Sequence, residues 1–240
     1  MFGSYLRRKH NGNGHSKSVV CDSSALISLA ETGLLHFLSE LHEDMRGDFI
    51  IGDLVKKECI DRPLKMKSHT LPAIRLKLAL TKGVIKFGNT PNILKITKDV
   101  MWIANNMFFI DEKPVKLLHD GESEALALAL ELDLDNMLID ERTTRVLIED
   151  PEGLKKHIEG EFRKPVKVNG QFLRKFGELF GGMRLFRSSE IIAVAYEKGL
   201  FEEYDALEMQ AVEAALYGIK FAGCSISFNE IEHYTKQLKG

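Results

Sequence analysis

Short apolar runs alternate along the chain with segments whose apolar residues recur at helical spacing. Val19–Cys21, Phe49–Ile51 and Met137–Ile139 are apolar runs of strand length, and a helical or turn-like segment follows each of them. Residues 125–130 alternate Ala and Leu, but both are strong helix formers and acidic residues precede them, so we predict a helix there. Strands that alternate with helices predict an α/β fold with a mostly parallel central sheet flanked by helices.

The middle of the chain fits this alternation less well. Within 61–114 the spacing predicts a helix over 71–80 and a strand over 84–87, while 102–110 fits either a helix or a strand. We therefore treat 61–114 as extra length inside a main domain that spans residues 18–150.

Both ends of the chain differ from this main domain. Residues 1–17 are basic and rich in Gly and Asn, and we expect a loose leader there. Residues 151–187 are charged and rich in glycine, so we expect an insertion or a mobile connection. Helical periodicity returns in 188–240, which predicts extra C-terminal helices that can pack on the main domain.

Charge and hydropathy exclude some classes of function. The 33 Lys and Arg against 35 Asp and Glu give a net charge of -2, which argues against a protein that coats nucleic acid but still allows a local basic groove. No apolar stretch approaches the roughly 20 residues that span a bilayer, and no signal-peptide core is seen, so we expect a cytoplasmic protein rather than a membrane protein.

The cysteines and histidines give no sign of a zinc site. Cys21, Cys59 and Cys224 form an odd set without a CxxC pair, and we interpret them as buried free thiols. The eight histidines show no HxxxH or HExxH spacing, which disfavours a zinc enzyme.

Four acids form the main candidate site. Asp22 and Asp140 follow two apolar strands directly, at the carboxyl edge where ligands bind in open α/β sheets. Glu58 follows Leu54 and Val55 at helical spacing, which puts it on or beside the inward face of a helix that Asp53 is expected to cap.

Two acids open the Ala- and Leu-rich helix, and periodicity distinguishes them. Glu122 shares a face with Ala125, Leu126 and Ala129, a stripe that we expect to face the sheet. Glu124 is turned away from that stripe by about 200° at 100° per residue, so we keep it in reserve. Glu141, next to Asp140, is a second reserve acid.

Each acid also has a purely structural interpretation. Asp22 can cap the following helix, although Ser23 and Ser24 can do so as well. Glu58 fits a solvated helix face, Glu122 fits a favourable first-turn acid, and Asp140 fits a turn before Arg142. The joint placement of the acids, rather than any one of them, indicates a site.

Converging carboxylates need a positive partner. A like-charge pair a few Å apart costs about 3–4 kcal/mol at an effective dielectric near 20. No run of Lys or Arg accompanies the acids, and oxygen ligands favour Mg²⁺ or Mn²⁺ over zinc. A bound divalent cation of this kind can activate a water molecule for phosphodiester hydrolysis.

Three segments carry a resemblance to a known family. The segment 19–27 (VVCDSSALI), the GESEALALA segment at 121–129 and the LIDER segment at 138–142 resemble the PIN-domain ribonucleases, most closely a prokaryotic branch with a GExEA helix that is related to toxin–antitoxin nucleases. The likeness covers about residues 18–150. In that branch a strand-end Asp, a Glu after the second strand, the GExEA helix and a further strand-end Asp supply the metal site, and the matching residues are Asp22, Glu58, Glu122 and Asp140.

The resemblance implies a metal-dependent endoribonuclease. Ser24 matches the family's supporting hydroxyl, although helix capping explains it equally well. RNA would be the substrate, Mg²⁺ or Mn²⁺ the cofactor, and Arg142 and Arg145 are candidate phosphate contacts or solvated surface charges. An antitoxin or another protein partner and a homodimer are further expectations.

Two other functions also fit the sequence. A degenerate PIN fold can bind RNA or a protein partner without cleavage. A phosphohydrolase of the haloacid dehalogenase type also begins with a strand-end Asp, but it normally has a second Asp two residues later, where this chain has Ser24.

Overall fold

The computed structural model describes residues 17–45 and 47–238, so the expected leader lies, apart from Lys17, outside the described residues. The strands in chain order are β1 (Val19–Cys21), β2 (Phe49–Ile51), β3 (Ile85–Phe87), β4 (Phe108–Ile110), β5 (Lys113–Pro114), β6 (Asn136–Leu138), β7 (Lys167–Val168) and β8 (Arg184–Phe186).

The α-helices are α1 (Ser23–Thr32), α2 (His36–Met45), α3 (Asp53–Lys56), α4 (Thr70–Thr81), α5 (Ile93–Asn105), α6 (Asp120–Leu132), α7 (Arg142–Glu149), α8 (Pro151–Phe162), α9 (Gly170–Phe180), α10 (Ser188–Glu197), α11 (Glu208–Ala222) and α12 (Phe228–Leu238). A π-helical turn (Lys57–Asp61) continues α3, and short 3₁₀ turns lie at Pro63–Lys65 and Glu202–Leu207. None of the helices in 17–45 and 47–238 is long and apolar enough to cross a membrane.

Five parallel strands form the central sheet in the order β3-β2-β1-β6-β8. In the middle of the sheet, Val20 pairs with Ile50 on one side and with Met137 on the other. From β1 the chain adds β2 and β3 on one side of the sheet and later β6 and β8 on the other side, so the strand order reverses between β1 and β6. In open α/β sheets this reversal leaves a crevice at the carboxyl ends of the two strands, and Asp22 and Asp140 follow those ends.

The two central strands β1 and β2 are short, fully apolar runs, and β6 contains one polar residue, Asn136. Residues Val19–Cys21 and Asn136–Leu138 are buried throughout. A strand that is buried on both faces does not alternate apolar and polar residues as a half-exposed strand does, so it appears in the sequence as a nearly continuous apolar run. The α/β class with a mostly parallel sheet is confirmed.

Residues 151–187 differ from the expected insertion or mobile connection. They form α8, β7, α9 and β8, and β8 is the edge strand of the central sheet, with Leu185 paired to Met137. β7 pairs with β4 in a small antiparallel sheet that also contains β5. The segment after residue 150 therefore completes both sheets.

Two local predictions are refined by the structure. The ambiguous stretch 102–110 contains both elements: α5 ends at Asn105 and β4 begins at Phe108. The prediction that Asp53 caps the following helix is wrong, because Gly52 is the N-cap residue and has no side chain to offer. A carboxylate from α6 takes that role, as described below.

Candidate active site

Asp22 lies at the carboxyl end of β1 and is 2% exposed. Its Oδ2 accepts hydrogen bonds from the Ser24 N–H at 3.0 Å and from the Ser24 hydroxyl at 2.5 Å, so Asp22 does cap α1. Its other oxygen, Oδ1, is buried and has no hydrogen-bond partner within the described part of the chain. A buried carboxylate oxygen without a donor is costly, and a bound cation would satisfy it.

Glu58 approaches Asp22 across a glycine. It lies on the π-helical turn that continues α3, and its side chain remains accessible to solvent. A Cβ placed on Gly121 would be 2.7 Å from Glu58 Oε2 and 4.0 Å from Asp22 Oδ1. Both carboxylates therefore lie near the first turn of α6, where a glycine leaves room for the Glu58 side chain.

The electrostatics of these acids are coupled. Burial raises the pKa of Asp22 to about 6, and the negative charge of Glu122 adds to this rise while hydrogen bonds from Ser24 oppose it. Incomplete hydration and the charge of Asp22 raise the pKa of Glu58. Burial also raises the pKa of Glu122. Like charges that share poorly hydrated surroundings favour the uptake of protons or of a cation.

Glu122 takes part in this electrostatic group and also caps its own helix. Its Oε2 accepts a hydrogen bond from the His119 N–H at 3.0 Å at the start of α6. The side chain is partly exposed at the same helix end as Gly121. Both interpretations of Glu122, as a first-turn acid and as a member of the acidic site, are consistent with this position.

Asp140 is fully buried, and its carboxylate is held by Ser188. Oδ1 accepts from the Ser188 N–H at 2.8 Å, and Oδ2 accepts from the Ser188 hydroxyl at 2.7 Å. The Asp140 backbone N–H donates to Ser24 Oγ at 3.0 Å, so the same serine binds the Asp22 side chain and the backbone after β6. Ser24 thus joins the two strand ends, while the Asp140 carboxylate anchors α10.

Both reserve acids cap helices. Glu124 is 1% exposed, and its Oε2 accepts from the backbone N–H groups of Leu54 (2.7 Å) and Val55 (3.1 Å) at the start of α3. Glu141 accepts from the N–H groups of Thr143 and Thr144 at the start of α7, at 2.7 Å each. The apolar stripe of α6 does not distinguish an inward acid from an outward one, because α6 is buried on nearly all sides. Glu124, which the periodicity turns away from the stripe, is more deeply buried than Glu122.

The acids do not form a complete ligand cage. Within residues 17–45 and 47–238, no group of three or more His, Cys, Asp or Glu side chains is arranged to hold a metal ion. The structure does place the Asp22 and Glu58 carboxylates near the same side of Gly121, and the negative charge of Glu122 also acts on Asp22. Two carboxylates, one with an unpartnered buried oxygen, fit a hard divalent cation that keeps several water ligands.

The arginines lie on α7, beyond the strand end of β6. Arg142 is exposed and lines a cavity of about 300 Å³ together with His157. Arg145 donates to Ser225 Oγ at 3.1 Å and lies 3.9 Å from Glu149. Arg142 is therefore the more available of the two guanidinium groups.

Sequence reasoning missed two residues that shape this site. Ser188 was missed because it follows a segment that was interpreted as an insertion, and nothing local links it to Asp140. Gly121 lies inside the GESEA segment, where a glycine in the first turn of an otherwise strong helix is unusual. Such a glycine often marks a position at which another group packs closely against the backbone, as the Glu58 carboxylate does here.

Comparison with known proteins identifies the fold family. The family model for the PIN domain matches residues 18–155, which is more than half of the chain. No curated protein and no solved structure gives a significant match. The matched region contains β1, β6 and all four acids of the candidate site, and the resemblance to the PIN-domain family is thereby confirmed, while the branch with the GExEA helix stays a prediction. The chain belongs to the PIN-domain family, whose fold is that of a nuclease.

Proposed function

We propose that this protein is a metal-dependent endoribonuclease that hydrolyses RNA phosphodiesters at the carboxyl edge of the β1–β6 crevice. The observation that carries the proposal is the unpartnered, buried Oδ1 of Asp22, which lies near Gly121 together with the Glu58 carboxylate. Carboxylates whose pKa is raised by burial together with a neighbouring charge cluster at functional sites, and Asp22 has both features.

Asp22 and Glu58 would hold Mg²⁺ or Mn²⁺, with Glu122 and Asp140 as the further ligands that the family resemblance implies. When bound, the ion lowers the pKa of a water molecule and stabilises negative charge on the phosphate. Glu58 reaches solvent and has a raised pKa, so its carboxylate is a stronger proton acceptor than that of an ordinary glutamate. Arg142 would bind a backbone phosphate of the RNA.

A second candidate function is a PIN scaffold that binds RNA or a protein without cleaving it. The observation that favours it is the engagement of both Asp140 carboxylate oxygens by Ser188. Each oxygen of this carboxylate already has a hydrogen-bond donor, so anchoring α10 is a sufficient structural reason for the chain to carry Asp140 without a metal ion.

Cleavage of end-labelled single-stranded RNA in Mn²⁺ or Mg²⁺ separates these functions. We expect products that disappear with EDTA and with Asp22→Asn, while Glu161→Gln, which changes an exposed acid on α8, cleaves like the wild type. RNA binding without cleavage by the wild type would overturn the nuclease proposal in favour of the scaffold. Hydrolysis of a small phosphomonoester but not of RNA would instead support the dehalogenase-type reaction.

Metal binding gives a readout that does not depend on turnover. Titration of the protein with Mn²⁺, followed by the loss of the free-ion electron paramagnetic resonance signal, should reveal sites that Asp22→Asn weakens. A toxin role with an antitoxin partner, a homodimer and a cytoplasmic location also remain proposals. Co-purification with the product of a neighbouring gene would support the antitoxin partner.

A further inference from the structure

Three aromatic rings cluster on the surface where α11 ends and α12 begins. Tyr217, Phe221 and Phe228 have ring centroids 5.9–6.5 Å apart. Phe221 is 77% exposed and Phe228 is 51% exposed, whereas Tyr217 packs partly against the core. We call these three side chains the aromatic platform.

The platform is not needed to build the core. α11 already buries Val212, Leu216 and Ile219, and it packs on α1 through its other face. Two phenylalanines so far in solvent add little to folding, and adjacent exposed aromatic rings indicate a binding surface. Tyr217, held by the core, fixes the position at which the two exposed rings stand.

A cation lies over one ring of the platform. Lys220 Nζ is 4.4 Å from the centroid of the Phe228 ring and donates to the Ile226 carbonyl at 2.5 Å. Neither the Ile226 carbonyl nor the Phe228 ring carries a net negative charge, so these two contacts leave the positive charge of Lys220 uncompensated. Aromatic faces beside a positive charge are the combination that binds bases and phosphates of an unpaired strand.

The loop after α11 connects the platform to the edge of the sheet that carries the acids. The Ser225 N–H donates to the Asp140 carbonyl at 3.3 Å, and the Ser225 hydroxyl accepts from Arg145 at 3.1 Å. Cys224 and Ile226 are buried and anchor this loop. Three residues of extended chain span at most about 11 Å, so Phe228 lies within that reach of Ser225.

The geometry points to the aromatic platform as a stacking site for unpaired bases of single-stranded RNA, with Lys220 binding an adjacent phosphate. This inference rests on the proposed function, because it names the form of RNA that the acidic site would receive. Bases in a duplex are already stacked on each other and their faces are hidden, so the platform selects single-stranded over double-stranded RNA.

The test measures RNA binding by the full-length protein in EDTA, where cleavage does not interfere. Fluorescence anisotropy of a short labelled single-stranded RNA should show that Phe221→Ala and Phe228→Ala each weaken binding by about five- to 150-fold, the range seen when one stacked base is lost. Phe221→Trp should bind like the wild type. Phe162→Ala, which removes a ring 52% exposed on α8, is the matched control and should have no effect.

An abasic strand of the same length identifies the contact as stacking. It retains the phosphates but has no bases, so Phe221→Ala should leave its affinity unchanged. An equal loss of affinity for the abasic and the normal strand would overturn the inference, and so would wild-type affinity in both alanine variants. A dimer that Phe221→Ala dissociates, with unchanged RNA affinity, would also overturn it and assign the rings to contact between two copies.

The platform and the nuclease can fail separately. If the wild type does not cleave RNA but Phe221→Ala weakens binding, the platform is upheld and the nuclease proposal is wrong. If the wild type cleaves RNA and the platform variants bind normally, the nuclease stands and the platform is wrong.

Discussion

The Ser188 side chain and backbone both donate to the Asp140 carboxylate, at 2.7 and 2.8 Å, across 48 residues of chain. This contact ties the start of α10 to the end of β6, inside the sheet edge where the candidate site lies. The Asp140 carboxylate therefore has a structural partner that is fully buried with it.

Ser188→Ala should reduce the free energy of unfolding by about 1.5–3 kcal/mol, the usual cost of losing a hydrogen bond to a charged group. Urea unfolding followed by circular dichroism measures this change. Ser189→Ala is the matched control, because the Ser189 hydroxyl is also buried but has no hydrogen-bond partner within the described residues. Equal destabilisation by both variants would show that the Asp140 contact contributes nothing.

Gly121→Ala should impair the site without harming the fold. The new Cβ would lie 2.7 Å from Glu58 Oε2, so the Glu58 carboxylate must leave its present position beside Gly121. We expect RNA cleavage to fall by about ten- to 100-fold, because displacements of about 1 Å have effects of that size. Cleavage rates under single-turnover conditions measure this fall.

Gly160→Ala is the control for this substitution. It makes the same change within α8, where a Cβ would meet no atom within 4 Å. Each of the two substitutions should increase the free energy of unfolding by at most about 1 kcal/mol, because alanine has a higher helix propensity than glycine. Normal cleavage by Gly121→Ala would contradict the assignment of Glu58 to the site.

Glu122 and Glu124, two residues apart, should respond in opposite ways. Glu124→Ala leaves the N–H groups of Leu54 and Val55 without an acceptor and should cost about 3 kcal/mol of stability. Glu122→Gln keeps an acceptor for the His119 N–H, so its stability should change by less than about 0.5 kcal/mol while cleavage falls sharply. Unfolding curves and cleavage rates for both variants provide the comparison, and a reversed pattern would make Glu124 the site residue.

The raised pKa of Asp22 predicts a pH-dependent stability in the absence of metal. An acid whose pKa is raised from 3.8 to about 6 by folding disfavours the fold when ionised, and this cost grows as pH rises between those values and is complete above about pH 6. Asp22→Asn should therefore stabilise the protein in EDTA by about 2–3 kcal/mol at pH 8 and have little effect at pH 3.5.

Urea unfolding at the two pH values measures this effect, with Glu161→Gln as the control. Saturating Mn²⁺ should stabilise the wild type more than Asp22→Asn, because the ion binds the ionised carboxylate. If Asp22→Asn gave the same gain at both pH values, the cost would not come from ionisation of Asp22.

The parts of the fold that could be predicted from sequence are those encoded within about 30 neighbouring residues. Val19–Cys21 with Asp22, and the helix that ends before Gly33, combine an apolar run with a local start and stop signal. Gly33 has a φ of +80°, which is why a glycine ends that helix. The same local logic gave the helix that follows Gly121 and the strand that precedes Asp140.

The parts that could not be predicted depend on contacts between distant segments. The α3 helix is capped by Glu124, about 70 residues away, so Asp53 looked like the cap because no local residue offered a better one. The anchoring of Asp140 by Ser188 is equally invisible in the local sequence. β8 is three residues long and lies among charged residues and glycines, so its sequence is typical of a connection rather than of a strand.

The placement of β8 has a consequence for any shortened version of this protein. Residues 18–155 match the PIN-domain family, yet Arg184–Phe186 pairs with β6 and forms the last strand on that side of the sheet. A fragment ending at residue 155 would present the unpaired N–H and C=O groups of Asn136–Leu138 to other molecules. Open edges of this kind recruit strands from neighbouring chains, so the fragment should aggregate on expression, whereas a chain that retains residues up to 187 keeps that edge covered.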